Sequence, residues 1–213
     1  MTLEIRDVRK EDLKKIKEIT AEAWHADQFI SDERIVEAGI TLMFISPILN
    51  QSTFGKAAVV DGEVVGVIFG SREGEERNYK MLLNDYSPEV MEILSLKKEE
   101  QHVFMDFVQK TNQAYSELIA GKEAEFQGCL EFFALSEKAR GKQIGKKLLN
   151  EFLAYQKEKN AQKIYVYTDT MSNYGFYEHM GFVRRGENEQ IFDLGDEKMT
   201  NNNFIYEYVI QKS

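Results

Sequence analysis

Residues 129–152 constrain this chain more than any other stretch. Cys129, Leu130, Phe132, Phe133, Ala134 and Leu135 make an apolar, aromatic run interrupted only by Glu131, which suits a buried strand. A short polar turn follows, Ser136-Glu137-Lys138-Ala139. Then Arg140-Gly141-Lys142-Gln143-Ile144-Gly145-Lys146 opens a helix. In that helix Ile144, Leu148 and Phe152 recur at i, i+4, i+8, with Leu149 and Leu153 beside them, so one face is apolar. A strand, a basic loop with glycines and a helix N-terminus together make an anion site. Free backbone N–H groups point out of the first turn, and the helix dipole favours negative charge there. Gly141 and Gly145 let phosphates approach the backbone, and Arg140, Lys142 and Lys146 add positive charge.

Two nucleotide motifs do not fit this loop. A P-loop needs four residues between its first glycine and a Gly-Lys pair, then Ser or Thr. Gly141 and Gly145 enclose three residues, and Lys147 follows Lys146. The dinucleotide pattern G-x-G-x-x-G is absent as well. An ordinary strand–helix junction with a basic helix start would produce much the same residues.

A second landmark lies downstream. Lys163-Ile164-Tyr165-Val166-Tyr167-Thr168 reads as a strand. It leads to Phe176-Tyr177-Glu178-His179-Met180-Gly181-Phe182 on a short helix. Ser172 or Asn173 can cap that helix, and Gly181 can end it in the left-handed conformation with Phe182 folded back. An aromatic-rich helix end that merely fills a core would also look like this.

Together the two stretches resemble the GNAT superfamily of acetyl-CoA-dependent N-acetyltransferases. Arg140, Ile144 and Gly145 match the coenzyme motif [Q/R]-x-x-G-x-[G/A], and Phe176, Tyr177, Gly181 and Phe182 match the ending F-Y-x-x-x-G-F. Gln143 departs from the motif, standing where the family usually has glycine. The resemblance covers residues 127–182 by motif and the rest by pattern. It implies an α/β (α+β) fold: a mixed, mostly antiparallel sheet with flanking helices, whose two central strands are parallel and splay apart at the coenzyme. It implies acetyl-CoA as co-substrate and acyl transfer to a primary amine of a small molecule or peptide. Tyr177 would be the proton donor to the leaving thiolate, and Glu131 the base, acting directly or through a water. A carboxylate that only faces solvent or a basic side chain is the plainer reading of Glu131. The strand backbone at Phe133, Ala134 and Leu135 would hold the pantetheine arm. The loop Arg140, Gly141, Lys142, Gln143, Ile144, Gly145, Lys146 would hold the pyrophosphate, and Asn173 would touch the coenzyme. The rival class is a non-catalytic acyl-CoA-binding or sensing module, which would keep the loop and dispense with Tyr177. An oxygen acceptor or a longer acyl donor is a third reading.

The rest of the chain agrees in order. Leu3 to Val8 alternates as a half-buried strand does, and residues 11–24 read as a helix with Leu13, Ile16, Ile19 and Ala23 inward. A second helix runs from about Ser31 through Ile35, Ala38, Leu42 and Phe44 towards Pro47. Trp24, His25 and Phe29 between them are either packing or an aromatic contact for substrate. Asp61-Gly62 between two β-rich runs signals a hairpin. Residues 71–125 carry helical spacing in two pieces divided by Ser87-Pro88. Relative to the family this is a helical insertion between the third and fourth strands, serving as an acceptor lid, a structural elaboration or a homodimer surface. Val183-Arg184-Arg185 continues as strand, 186–202 reads as a polar loop, and 203–210 as the last strand.

The 213 residues suit one domain, 1–213, with the insertion at about 71–125. The formal charge of −9 argues against a nucleic-acid partner and fits, weakly, a cationic amine. A lone cysteine, Cys129, forms no internal disulfide and points to a reducing, cytoplasmic compartment. No run is long and apolar enough for a membrane, and the start is no signal peptide. Nothing in residues 71–125 has metal-ligand spacing, His102 has no partner pattern there, and no metal is expected; His179, two residues from Tyr177 on the same helix, faces elsewhere.

Overall fold

The computed structural model describes residues 2–24, 32–83, 85–193 and 198–211. Seven strands form one sheet: β1 (Leu3–Asp7), β2 (Phe54–Val60), β3 (Glu63–Arg72), β4 (Gly128–Leu135), β5 (Lys163–Asp169), β6 (Val183–Asp193) and β7 (Lys198–Val209). Their spatial order is β1-β2-β3-β4-β5-β7-β6. Every pair is antiparallel except β4 with β5. The mixed, mostly antiparallel α/β fold expected from the sequence is present.

Both faces of the sheet are covered, and β3 shows how the sequence arranges it. Val65 and Ile68 point to one face, Val64, Val67 and Phe69 to the other. The first face receives α6 (Ile144–Glu158) and α7 (Gly175–His179), with Leu148, Leu149 and Phe152 of α6 fully buried. Each such side chain contributes about 1.5–3 kcal/mol of burial. The second face receives α1 (Leu13–Ala23), α2 (Glu33–Ile40) and α3 (Ser46–Gln51), through Ile16, Ile19, Ile40, Ile48 and Leu49. Farther along that face lies α5 (Lys98–Ile119), packed over β6 and β7, while α4 (Ser87–Ser95) packs on α2.

Four expectations are corrected. Residues 186–202 are not a loop: they complete the long hairpin of β6 and β7, paired from Val183↔Glu207 to Asp193↔Lys198. Their polar side chains do not exclude strand, because sheet and α5 supply partners. Asn188 donates to the Ala114 carbonyl at 2.9 Å and accepts from Asn203 at 3.3 Å. Strand preference depends on such neighbours more than on residue type. The second helix does not stop near Pro47 but continues to Gln51 through a π turn, Thr41–Ile45. Pro47 would crowd the Met43 carbonyl in a regular helix, and the wider turn just before it relieves that clash. The start of this helix at Ser31, and His25 and Phe29, lie outside the described residues. The first insertion piece reduces to a single 3-10 turn at Lys80–Leu82, and Pro88 stands in the first turn of α4, where its missing N–H costs nothing. Neither Ser172 nor Asn173 caps α7 through its side chain. Instead Asp169 Oδ1 accepts from the Met171 amide at 2.9 Å in the preceding turn.

Candidate active site

The strands part where the chemistry was expected. β4 and β5 pair only at Gly128↔Ile164, Cys129↔Tyr165 and Leu130↔Val166. Beyond Leu130 they diverge, while β4 stays zipped to β3 on its other edge through Leu135. The backbone of residues 131–135 therefore has no ladder partner on the β5 side among the described residues. An extended chain carrying amides can pair with those groups as a further strand would. Phe133, Ala134 and Leu135, the expected pantetheine contacts, all lie on this open edge.

A bulge at the same place reorients the side chains. Phe69 pairs with Phe132 and Gly70 with Leu130, so Glu131 is the extra residue. In a regular strand Leu130 and Phe132 would share a face. Here Leu130 packs with α6 and Phe132 with α1 and Trp24, because the bulge switches the alternation. Glu131 is half-buried, with its carboxyl group as the buried end. Ser71 Oγ donates to Glu131 Oε1 at 2.5 Å. Burial pushes the carboxyl above the usual range, outweighing the Ser71 and Cys129 hydrogen bonds and the Arg77 charge that pull it down. An acid so placed gains and loses its proton closer to neutrality than an exposed one, as a general base requires.

After β4, Ala139 is buried and anchors the turn, and Glu22 at the end of α1 accepts from the Glu137 amide at 2.7 Å. Arg140 then enters the loop in extended conformation. Gly141 (φ 73°) and Gln143 (φ 59°) are both left-handed, and Gln143 is the N-cap of α6. Among the described residues, no carbonyl or side chain accepts from the amides of residues 141–146. Successive free amides in a loop with left-handed residues form a concave anion nest, and the α6 dipole adds to it. Lys142, Lys146 and Lys147 are exposed and unpaired there among the described residues. Arg140 makes only a loose, exposed contact with Glu137 at 3.7 Å, so it too is available to phosphate.

Gln143 has a side chain in a conformation that favours glycine. The left-handed region costs an ordinary residue about 1–2 kcal/mol, partly offset by the greater unfolded entropy of glycine. Gln143→Gly is therefore expected to leave stability unchanged or raise it by up to about 1 kcal/mol and to keep coenzyme affinity; thermal melts and calorimetry with CoA check both.

Gly145 works differently from the sequence reading. A Cβ there would meet Leu135 Cδ1 at 2.9 Å and Phe133 Cζ at 3.2 Å. Its absence lets α6 sit on the β4 side chains rather than making room for phosphate. Gly145→Val should thus cost about 1–3 kcal/mol through overpacking, seen as a lowered Tm even without coenzyme.

Tyr177 approaches the gap from the α6 face. Its helix ends with Gly181 at φ 87°, where the Phe182 amide donates to the Tyr177 carbonyl and the Gly181 amide to the Glu178 carbonyl. This double closure folds Phe182 back onto Tyr177, ring centroids 5.5 Å apart. Phe176 and Tyr206 pack around the same ring, which is 8% exposed. Burial, and the charges that Cys129 and Asp169 could bear, push the phenol well above its ordinary range. It stays protonated at neutral pH. Asn173 stands exposed in the turn before α7. Trp24 stacks on Phe132 at 5.4 Å, so its packing role is real. Ser71, Tyr115, Tyr165 and Tyr167, which sequence reasoning did not assign to the site, gather around Glu131 and Cys129. Only the alternation of Tyr165 and Tyr167 along β5 hinted at a shared face. Among the described residues no three His, Cys, Asp or Glu side chains converge as metal ligands, and no helix is long and apolar enough to cross a membrane.

Comparison with known proteins decides the family. The sequence model of the acetyltransferase (GNAT) family matches residues 13–182. The chain belongs to the GNAT acetyltransferase family. No curated protein matches it by sequence. Among solved structures, this GNAT chain is similar to SsHAT (12% identity, TM-score 0.65, all of both chains covered). It is also similar to histone acetyltransferase HPA2 and related acetyltransferase from Corynebacterium glutamicum (18% identity, TM-score 0.59, 100% of this chain and 99% of that one). PaiA N-acetyltransferase from Thermoplasma acidophilum, in complex with coenzyme A, is a third (18% identity, TM-score 0.51, 98% of this chain and 99% of that one). At these identities the likeness is one of fold.

Proposed function

We propose that this GNAT enzyme moves an acetyl group from acetyl-CoA to a primary amine, with the thioester held in the gap between β4 and β5. The observation that carries the reading is a coincidence of position. The open edge of β4 leads into the free amides of residues 141–146, Gly145 of that loop lies against Phe133 and Leu135, and Phe133 packs on Phe176, the neighbour of Tyr177. The pantetheine arm pairs with the backbone at Phe133, Ala134 and Leu135. The pyrophosphate rests in the loop from Arg140 to Lys146, and Asn173 lies beside the coenzyme. Glu131 takes a proton from the ammonium group of the acceptor, directly or through a water. The neutral amine attacks the thioester carbonyl, the C–S bond breaks as the Tyr177 hydroxyl protonates the thiolate, and the second proton shed by the nitrogen restores the Tyr177 phenol while Glu131 returns its proton to water. Amide and CoA thiol are the products.

The helices α4 and α5 form the insertion of a single domain, and the buried Cys129 thiol suits a reducing cytoplasm. Thiol release from acetyl-CoA across a panel of amines is the test. A non-catalytic CoA-binding module would bind CoA and release thiol no faster with any acceptor than without one.

A further inference from the structure

We infer that α5 builds the acceptor site: Tyr115 roofs an acidic, tyrosine-lined chamber over Glu131 that admits slim cationic amines and disfavours acceptors with a carboxylate beside the nitrogen. The inference rests on the reading above and names its acceptor. The floor comprises Ser71, Cys129 and Glu131, brought together by the bulge in β4. Tyr165 and Tyr167 rise from β5 on the same face, edge to face at 5.2 Å. Tyr115 comes down from α5 and lies flat on Tyr167, centroids 4.4 Å apart and planes 4° from parallel. All three tyrosines and Glu131 are half-buried, so each keeps part of its surface accessible. Ala114 and Leu118 fix this part of α5 independently of Tyr115, both being buried.

The position of Tyr115 matters as much as its stacking. It lies within electrostatic reach of Cys129 and Asp169, and of Tyr177 across the gap. An amine approaching the thioester from the α5 face must pass it. The charge around the chamber is one-sided. Glu131 and Glu123 bear on Tyr167, and Asp169 bears on Tyr115, while Arg77 is the one cation that acts on Glu131. Tyrosine faces and carboxylates together favour an ammonium group. A carboxylate on the acceptor would be repelled by Glu131, Glu123 and Asp169, and the exposed Arg77 offsets that repulsion only in part.

The test measures thiol release from acetyl-CoA with matched acceptors: butylamine and 2-phenylethylamine against norvaline and phenylalanine. Each amine should exceed its amino acid in kcat/KM at least about tenfold. Tyr115→Ala should raise kcat/KM for 2-phenylethylamine relative to butylamine about fivefold or more, through KM, with CoA affinity by calorimetry unchanged. Equal or better use of the amino acids overturns the inference. So does a Tyr115→Ala protein that binds CoA and keeps the parent ratio of the two amines, or a parent that binds CoA and turns over neither amine. Failure of CoA to bind at all strikes the functional reading instead. The amine comparison on the parent protein stands even if the variant does not fold.

Discussion

Replacing Tyr177 with phenylalanine is expected to slow acetyl transfer by roughly 10²–10⁴-fold, the usual worth of a general acid. The ring and its packing against Phe176, Phe182 and Tyr206 remain, and only the hydroxyl is lost. Stability should move by about 1 kcal/mol at most. CoA affinity should be nearly unchanged, since the proposed phosphate site is the loop at 140–146, apart from Tyr177. Steady-state rates with any acceptor found in the amine panel check this. A rate near the parent value would reduce Tyr177 to a packing residue. Because burial holds the phenol well above its ordinary range, loss of activity from its ionisation should appear only at strongly alkaline pH.

Glu131→Gln is expected to lower kcat/KM at neutral pH by a similar 10²–10⁴-fold. In the parent, activity should rise with pH through a value above the ordinary carboxylate range, as the buried acid ionises. The variant should lack that rise. Stability gives an independent check with a definite sign. The folded-state pKa is raised, so the folded protein holds this proton more tightly than the unfolded chain does. The resulting stabilisation is complete below the unfolded value and disappears as pH climbs through the raised one. Thermal melts from mildly acid to neutral pH should show that decline in the parent and less of it in Glu131→Gln. The glutamine can still accept from Ser71, and no charge is buried. Parallel pH–stability curves for the two proteins would mean that Glu131 is not the buried acid described.

Much of the candidate site was legible because its parts are local in sequence. The run at 140–146 sets two glycines and three cations around Gln143 and Ile144 at the start of an amphipathic helix. The end of α7 is likewise written in Gly181 and Phe182. The hairpin at Asp61-Gly62 declared itself in two residues, and the parallel pair of β4 and β5 came from the family resemblance. What escaped depends on register and on distant partners. Glu131 faces Ser71 and Cys129 because a bulge adds one residue against β3, and nothing in the strand's composition marks a bulge. The long hairpin of β6 and β7 was hidden by asparagines whose partners lie on α5 and across the ladder. Gly145 was read as room for phosphate, whereas its neighbours are Phe133 and Leu135. Tyr115 joins the proposed acceptor site through its stack on Tyr167, 52 residues away in the sequence.

CoA is proposed to bind in the gap between β4 and β5, with the amide loop beside it. Hydrogen exchange of the backbone amides with and without CoA tests it most directly, because the free amides themselves report. Exchange should slow at residues 132–135 and 141–146 on adding CoA, with little change along the distant edge strand β6. Binding of CoA that leaves both segments exchanging as before would contradict it.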